Sequence, residues 1–301
     1  MFGTHTSLRW SVASKFVMLV VFAASTLVVV VPPRSAGATR QLQWNIAGWE
    51  QNGGSPGVDY ALLLDIANYE ASEGVPRTVT VQELCWSDNA NEGTDQYDGL
   101  ASYFYQRGYV WWAADNNDAQ APTRTLCHWQ GVGVFAAANS FSTWAGAFAG
   151  NYVNHSSSDN SAPRKLVCVH PNLGFIGYSA CVTHLTNVST TVAQASLGEV
   201  RNRMVAYQLF GRPFVYFAGD LNLSTQYDRP AGSELYNWYY GPKSSYPMYE
   251  ACSSSLKTHP NSSPTRKIDY SWYSGWTNGG SCVTSTAGGA SDHRLLHSRI
   301  N

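Results

Sequence analysis

The chain has 301 residues, 19 of them basic and 20 acidic, with 44% hydrophobic and 13% aromatic content. A near-neutral chain of this kind is not a protein that coats nucleic acid through global positive charge. It is long enough for one large domain or two small ones, and no stretch reads as a linker between separate cores.

Residues 1–38 read as an export signal. A basic start (Arg9, Lys15) leads into an apolar run from Val17 to Val31, then Pro32 and Pro33, then the small residues Ala36, Gly37 and Ala38. The run is shorter than the roughly 20 apolar residues of a spanning helix, so cleavage after Ala38 is expected rather than anchoring. Three of the 19 basic residues (Arg9, Lys15, Arg34) lie in this segment, leaving 16 against 20 acidic ones, about four net negative charges. The expected mature protein is a secreted, soluble monomer with a single domain over 39–301 and no stable membrane insertion.

From there on, short β-rich runs recur: QLQWNIAGW, RTVTVQELCW, YVWWAAD, GVGVFAAA, KLVCVHP, FIGYSACVTHL, PFVYFAGDLNL, RKIDYSWYS and a last one near SCVTST. Between them, apolar residues at helical spacing predict helices near 59–73, 96–107, 191–210 and 233–240. Strand pairs punctuated by helices point to a layered α/β sandwich. Loops rich in Ser, Asn, Gly and Pro at 87–96, 151–164 and 253–266 read as surface excursions. All six cysteines (Cys85, Cys127, Cys168, Cys181, Cys252, Cys282) lie beyond the signal, and an even count in an exported chain favours disulfides over metal ligation. Cys168 and Cys181 flank a hairpin and are paired first; Cys85–Cys127 and Cys252–Cys282 follow.

Several strands finish on an ionisable or amide residue. Asn45 sits in QWNIAG, Glu83 ends TVTVQEL, His184 ends ACVTHL, Asp220 and Asn222 end VYFAGDLNL, Asp269 lies in KIDYSW, and Asp292 and His293 form SDHRLL. Each alone fits a turn or cap residue, since Gly, Asp and Asn favour turns. Two residues apart on an extended segment, however, Asp220 and Asn222 aim an acceptor and an amide at one spot.

Taken together, WNI, QE, TH, GDLN, ID and SDH, in that order from Trp44 to Leu296, resemble the endonuclease/exonuclease/phosphatase superfamily, which includes pancreatic-type deoxyribonuclease, the catalytic subunit of cytolethal distending toxin, bacterial sphingomyelinases and inositol-phosphate phosphatases. The resemblance implies a four-layer αββα sandwich of two mostly antiparallel sheets flanked by helices. It also implies hydrolysis of a phosphodiester with a divalent cation, magnesium or else manganese or calcium. Hard oxygen ligands suit these ions, so Glu83, with Asn45 and Asp292, is expected to hold the metal. His293 is the expected general base, oriented by Asp269. Asp220 would orient the water or the metal, Asn222 would donate to the phosphate, and His184 would stabilise or protonate the departing oxygen.

Two departures stand out. Pancreatic-type deoxyribonuclease has a second glutamate supporting the His184-like residue, where this chain has Cys127, His128, Trp129 and Gln130, leaving the orientation of His184 open. Abasic-site nucleases carry an aspartate where this chain has Ala47, which argues against that repair role, as does export. The leading expectation is a nuclease acting on nucleic acid. A phosphodiesterase or phosphatase for phospholipid headgroups, such as sphingomyelin or phosphoinositides, is the alternative, and a non-catalytic aromatic-rich binding protein is the remote one. The aromatic clusters at Trp111–Trp112, Trp238–Tyr240 and Tyr270–Trp276 suit base stacking or, more simply, core packing. Arg124, Arg164 and Arg203 are candidate phosphate contacts or solvated surface charge.

Overall fold

The computed structural model describes residues 39–47, 63–70, 74–86, 96–115, 129–138, 144–151, 164–173, 176–209, 212, 214–242, 245, 248–259, 266–274, 280–285 and 291–300. All belong to one compact unit, Ala38–Asn301. The export signal expected over 1–38 and the partner expected for Cys85, Cys127, lie outside the described residues.

Among the described residues, twelve strands form two six-stranded sheets. In the first, the order is β11 (Gly280–Ser285), β12 (Leu295–Ile300), β1 (Thr39–Asn45), β2 (Thr78–Trp86), β4 (Trp129–Ala137) and β3 (Tyr109–Asp115). In the second it is β5 (Trp144–Asn151), β6 (Lys165–Leu173), β7 (Ile176–His184), β8 (Phe214–Asp220), β10 (Asp269–Ser274) and β9 (Met248–Glu250). Pairing is antiparallel except between β1 and β2 and between β7 and β8. The described helices are α1 (63–70), α2 (Gln96–Tyr105), α3 (Thr190–Leu209) and α4 (Glu234–Tyr240). No helix among the described residues is long and apolar enough to cross a membrane.

Three apolar layers follow from the alternation of the strands. Leu42 and Trp44 of β1, with Ile46 just beyond it, pack with Ile66, Leu100 and Phe104 of α1 and α2. On the opposite side of the molecule, Leu197, Val200, Met204, Leu235 and Trp238 of α3 and α4 cover Val215, Phe217, Tyr270 and Trp272. Between the sheets lie Val132, Val134, Val167, Val182, Tyr273 and Leu296. The result is the expected αββα sandwich, because each sheet buries both faces. Trp238, Tyr270, Trp272 and Tyr273 are fully buried, so these aromatics pack the core.

The other face of β1 is polar and equally buried: Gln41, Gln43 and Asn45 have no exposed surface. Each meets a polar partner on the facing sheet, as buried polar groups must. Ser271 Oγ donates to Gln41 Oε1 at 3.2 Å, Gln43 Nε2 donates to Asp269 Oδ1 at 2.9 Å, and Asn45 Nδ2 donates to Asp220 Oδ2 at 3.0 Å. This polar seam fixes the register of one sheet on the other and ends at the sandwich rim.

Cys168 and Cys181 form a disulfide across directly opposed positions of β6 and β7, and Cys252 and Cys282 form a second, both as expected. Strands β5, β9 and β12 were not expected. β5 (WAGAFAGN) is rich in Ala and Gly, which are weak strand formers; β9 has 3 residues; β12 (LLHSRI) lacks clean alternation.

Gly219 is required by close approach. A Cβ there would lie 2.1 Å from the carbonyl oxygen of Thr183 on the neighbouring β7. Backbone cannot yield as a side chain can, so Gly219→Ala is expected to cost at least about 1–3 kcal/mol. Chemical denaturation checks this, and an unchanged midpoint would contradict it.

Candidate active site

The topology gathers the polar strand ends. β1 and β2 run parallel, as do β7 and β8; Asn45, His184 and Asp220 stand at strand C-termini, and Glu83 lies three residues before the end of β2. β10 runs antiparallel to β8 with Asp269 opposite Asp220, and β12 runs antiparallel to β1 just after Ser291–His293. The starts of these strands therefore meet the ends of the others at one rim.

Two backbone distortions aim the side chains. Glu83 occupies a bulge between Gln82 and Leu84 with φ of 56°, a left-handed conformation rare outside Gly. The extra residue breaks the alternation of β2 and turns the Glu83 carboxylate toward Asn45. Asn222 also has positive φ, 51°, and its backbone N–H donates to Asp220 Oδ1 at 2.8 Å. Such strain is held where surrounding contacts over-determine it.

Asn45 lies at the centre: its Nδ2 donates to Glu83 Oε1 at 2.9 Å and to Asp220 Oδ2 at 3.0 Å, while its Oδ1 accepts from Ala47 N–H at 3.0 Å. Gln130 Nε2 stands 3.4 Å from Glu83 Oε2. His293 Nδ1 lies 2.9 Å from Asp269 Oδ2, and its Nε2 3.7 Å from Asp220 Oδ2. Ser291 Oγ accepts from the His293 N–H at 3.0 Å and donates to the Asn45 carbonyl at 2.7 Å, tying the SDH turn to β1. On the other side, His184 Nε2 lies 3.5 Å from Asp220 Oδ2 and 3.9 Å from Glu83 Oε1. Asn222 Nδ2 donates to the Leu185 carbonyl at 3.0 Å. Asp292 sits on the far flank of His293, with its Oδ1 3.9 Å from His293 Nε2.

Sequence reasoning missed Gln43, and it named Arg164 only as a candidate phosphate contact or surface charge, not as a partner of His184. Gln43 shares Asp269 with His293, and its only signal was the polar alternation Gln41-Gln43-Asn45 inside an otherwise buried strand. Arg164 Nη1 stands 3.1 Å from His184 Nδ1, where the resemblance had left the orientation of that ring open. Arginine only donates, so Nδ1 accepts and the ring proton sits on Nε2, facing the carboxylates.

The electrostatics follow from these neighbours. Burial and the adjacent Asp269 carboxylate push the Asp220 carboxyl up to about 7, against the pull of His293 and the hydrogen bonds from Asn222 and Asn45. Burial alone would lower the His293 imidazole, but the Asp269, Asp220 and Asp292 carboxylates outweigh it and push it up to about 10. His184 is held well below the ordinary histidine value, first by burial and then by Arg164 and His293, so it stays neutral. A hydrogen bond with His259 holds Asp292 below the usual carboxylate range.

Two carboxylates within hydrogen-bond reach of one amide nitrogen, one of them fully buried, fit a divalent cation with oxygen ligands. Glu83 and Asp220 would hold it, with Asn45 setting their separation. Proton and cation compete for Asp220, so below its pKa of about 7 the cation binds more weakly. The rise in Tm on adding Mg2+ is therefore expected to grow from pH 6 to pH 8, the apparent affinity improving by about tenfold. Differential scanning fluorimetry checks this, and equal shifts at both pH values would contradict it.

No protein-family model matches the sequence, and no curated protein does. Solved structures do. An endonuclease/exonuclease/phosphatase from Beutenbergia cavernae is 19% identical, with a TM-score of 0.59 over 88% of this chain and 72% of that one. The human nocturnin catalytic domain with bound sulfate is 15% identical, with a TM-score of 0.60 over 87% and 93%. D. rerio TDP2 complexed with single strand DNA product is 15% identical, with a TM-score of 0.54 over 88% and 99%. The fold is shared with these endonuclease/exonuclease/phosphatase, nocturnin and TDP2 structures. Within that fold, the rim that gathers Asn45, Glu83, His184, Asp220, Asp269 and His293 is this chain's own candidate active site.

Proposed function

We propose that this chain is a secreted, divalent-metal-dependent phosphodiester hydrolase acting on nucleic acid. The observation that carries the reading is the convergence of Glu83 and Asp220 on Asn45 with an imidazole on either side, one paired to a buried aspartate. Glu83 and Asp220 would hold a magnesium-type cation, which would supply positive charge to the phosphate and offset the carboxylates that keep His293 protonated.

The side chains divide the remaining work. Asp269 holds His293 by Nδ1, so Nε2 is the nitrogen that takes a proton from the attacking water. The water oxygen bonds to phosphorus as the bond to the leaving oxygen breaks. His184, neutral and protonated at Nε2, donates a hydrogen bond to that oxygen, which takes its proton from solvent. It stabilises the departing group without being an acid. Asn222 keeps Asp220 aimed through its backbone N–H.

Nucleic acid as substrate is supported by the fold shared with a TDP2 that holds a single strand DNA product. Secretion is supported by the signal-like residues 1–38 and by the disulfides Cys168–Cys181 and Cys252–Cys282, which persist in oxidising compartments. The test is a panel of plasmid DNA, RNA, sphingomyelin and phosphoinositides, each with Mg2+ and with chelator. Chelator-sensitive cleavage of DNA or RNA is expected. Release of phosphocholine or inorganic phosphate from lipid, with no strand cleavage, would overturn the substrate.

A further inference from the structure

Beside the oxygen-rich pair Glu83 and Asp220, the rim carries a second cluster with a different donor set. His259 Nε2 stands 3.1 Å from Asp292 Oδ2, and Asp292 Oδ1 stands 3.9 Å from His293 Nε2. One donor atom from each of the three residues lies within 4.8 Å of the others, and the two rings meet edge to face with centroids 4.7 Å apart. Around a tetrahedral zinc ion with bonds of about 2.0–2.1 Å, neighbouring ligand atoms are about 3.3 Å apart. The two separations run to the two different oxygens of Asp292, so its carboxylate stands between the imidazoles, and one donor atom from each residue within 4.8 Å of the others places three ligands around one ion-sized space.

The backbone holds His259 in place for this. Thr258 Oγ1 accepts from the N–H groups of Ile268 and Asp269, each at 3.1 Å, and the Thr258 carbonyl accepts from Arg294 N–H at 2.8 Å. His259 and Arg266 form a β-bridge. The segment is thus pinned both to the start of β10 and to the turn that carries Asp292 and His293. The far nitrogen of His293 already meets Asp269 at 2.9 Å, the carboxylate–histidine arrangement that orients imidazole ligands at zinc sites. The side chains of His259 and Asp292 keep 20% and 26% of their surface exposed, so an ion reaches them from solvent and retains an open position.

Two imidazoles and one carboxylate favour a borderline ion such as zinc or cobalt over magnesium, which prefers oxygen. We propose that His259, Asp292 and His293 form an inhibitory zinc site. The ion engages Nε2 of His293, the one nitrogen available to accept a proton from water, and takes Asp292, which the resemblance had assigned to the magnesium set, so it blocks hydrolysis while Glu83 and Asp220 remain in place. The binding half stands on geometry alone; the inhibitory half rests on the reading of His293 as the general base.

The test uses two arms on the full-length protein. In the first, Co2+ is titrated into wild type, His259→Gln and His259→Ala, reading the visible absorption of the low-coordinate ion. Wild type is expected to bind one ion with strong bands, and both variants to bind at least about 100-fold more weakly, beyond the range for losing an outer-shell partner. Glutamine retains a hydrogen-bonding side chain beside Asp292, which separates ligand loss from a local packing defect. In the second arm, Zn2+ is added to hydrolysis assays in excess Mg2+, scoring the ratio of inhibited to uninhibited rate. Inhibition is expected in wild type and not in His259→Gln. Cobalt bands of equal strength in the variants, or zinc inhibition of equal depth, would overturn the proposal. If wild type binds Co2+ through His259 yet cleaves no phosphodiester, the site stands and the hydrolase reading fails.

Discussion

Replacing His293 with alanine is expected to lower kcat by about 10²–10⁴-fold, the usual worth of a positioned general base, with KM changed by no more than a few-fold. Stability should fall as well, because Asp269 is fully buried and, among the described residues, keeps only Gln43 as its side-chain hydrogen-bond partner once the imidazole is gone. Leaving a buried acceptor under-satisfied costs about 1–3 kcal/mol. Steady-state kinetics together with urea denaturation separate the two effects. If activity and stability fall in proportion, so that the residual rate matches the folded fraction, His293 is structural rather than catalytic. Asp269→Asn sharpens the result: it spares the packing but lets the ring choose the wrong tautomer, so kcat should drop while the Tm moves little.

Glu83→Gln is expected to be as damaging by a different route. The substitution keeps the volume at the bulge but removes the charge that, with Asp220, would hold the cation. The activity lost at ordinary Mg2+ should exceed about 100-fold, and part of it should return at higher Mg2+, since losing one ligand weakens the ion without abolishing the site. The stabilisation by Mg2+ seen in wild type should shrink in parallel. Wild-type activity and an unchanged Mg2+ response would remove Glu83 from the metal site. The same variant should relieve repulsion between two adjacent carboxylates, so the cation-free protein is expected to be no less stable than wild type.

The strand-end residues were legible because six short motifs in a fixed order point to one rim; the extended geometry expected of Asp220 and Asn222 does not hold, since β8 ends at Asp220 and Asn222 turns left-handed with its amide on the Leu185 carbonyl. The alternation of Gln41, Gln43 and Asn45 with Leu42, Trp44 and Ile46 has the pattern of a half-exposed strand, yet both faces are buried. What lay hidden depended on contacts between segments far apart in the chain. Nothing near Arg164 announces that it meets His184, 20 residues away, because the approach is made by the pairing of β6 with β7. Nothing near His259 announces Asp292, 33 residues on. The left-handed bulge at Glu83 was equally invisible, because glutamate carries none of the turn chemistry that glycine or asparagine would have signalled. Strand β12 was overlooked for a related reason: its partners β1 and β11 enforce extension on a sequence whose pattern does not ask for it.

Both the cation site and the base depend on one arrangement, in which Glu83 and Asp220 face each other across Asn45 with His293 beside them. Crystals soaked in Mn2+ and read by anomalous diffraction test that arrangement directly. An anomalous peak within about 2.0–2.3 Å of carboxylate oxygens from both Glu83 and Asp220, with the His293 ring alongside, is the result the account predicts. A manganese ion bound elsewhere, with these two carboxylates turned away from each other, would contradict it.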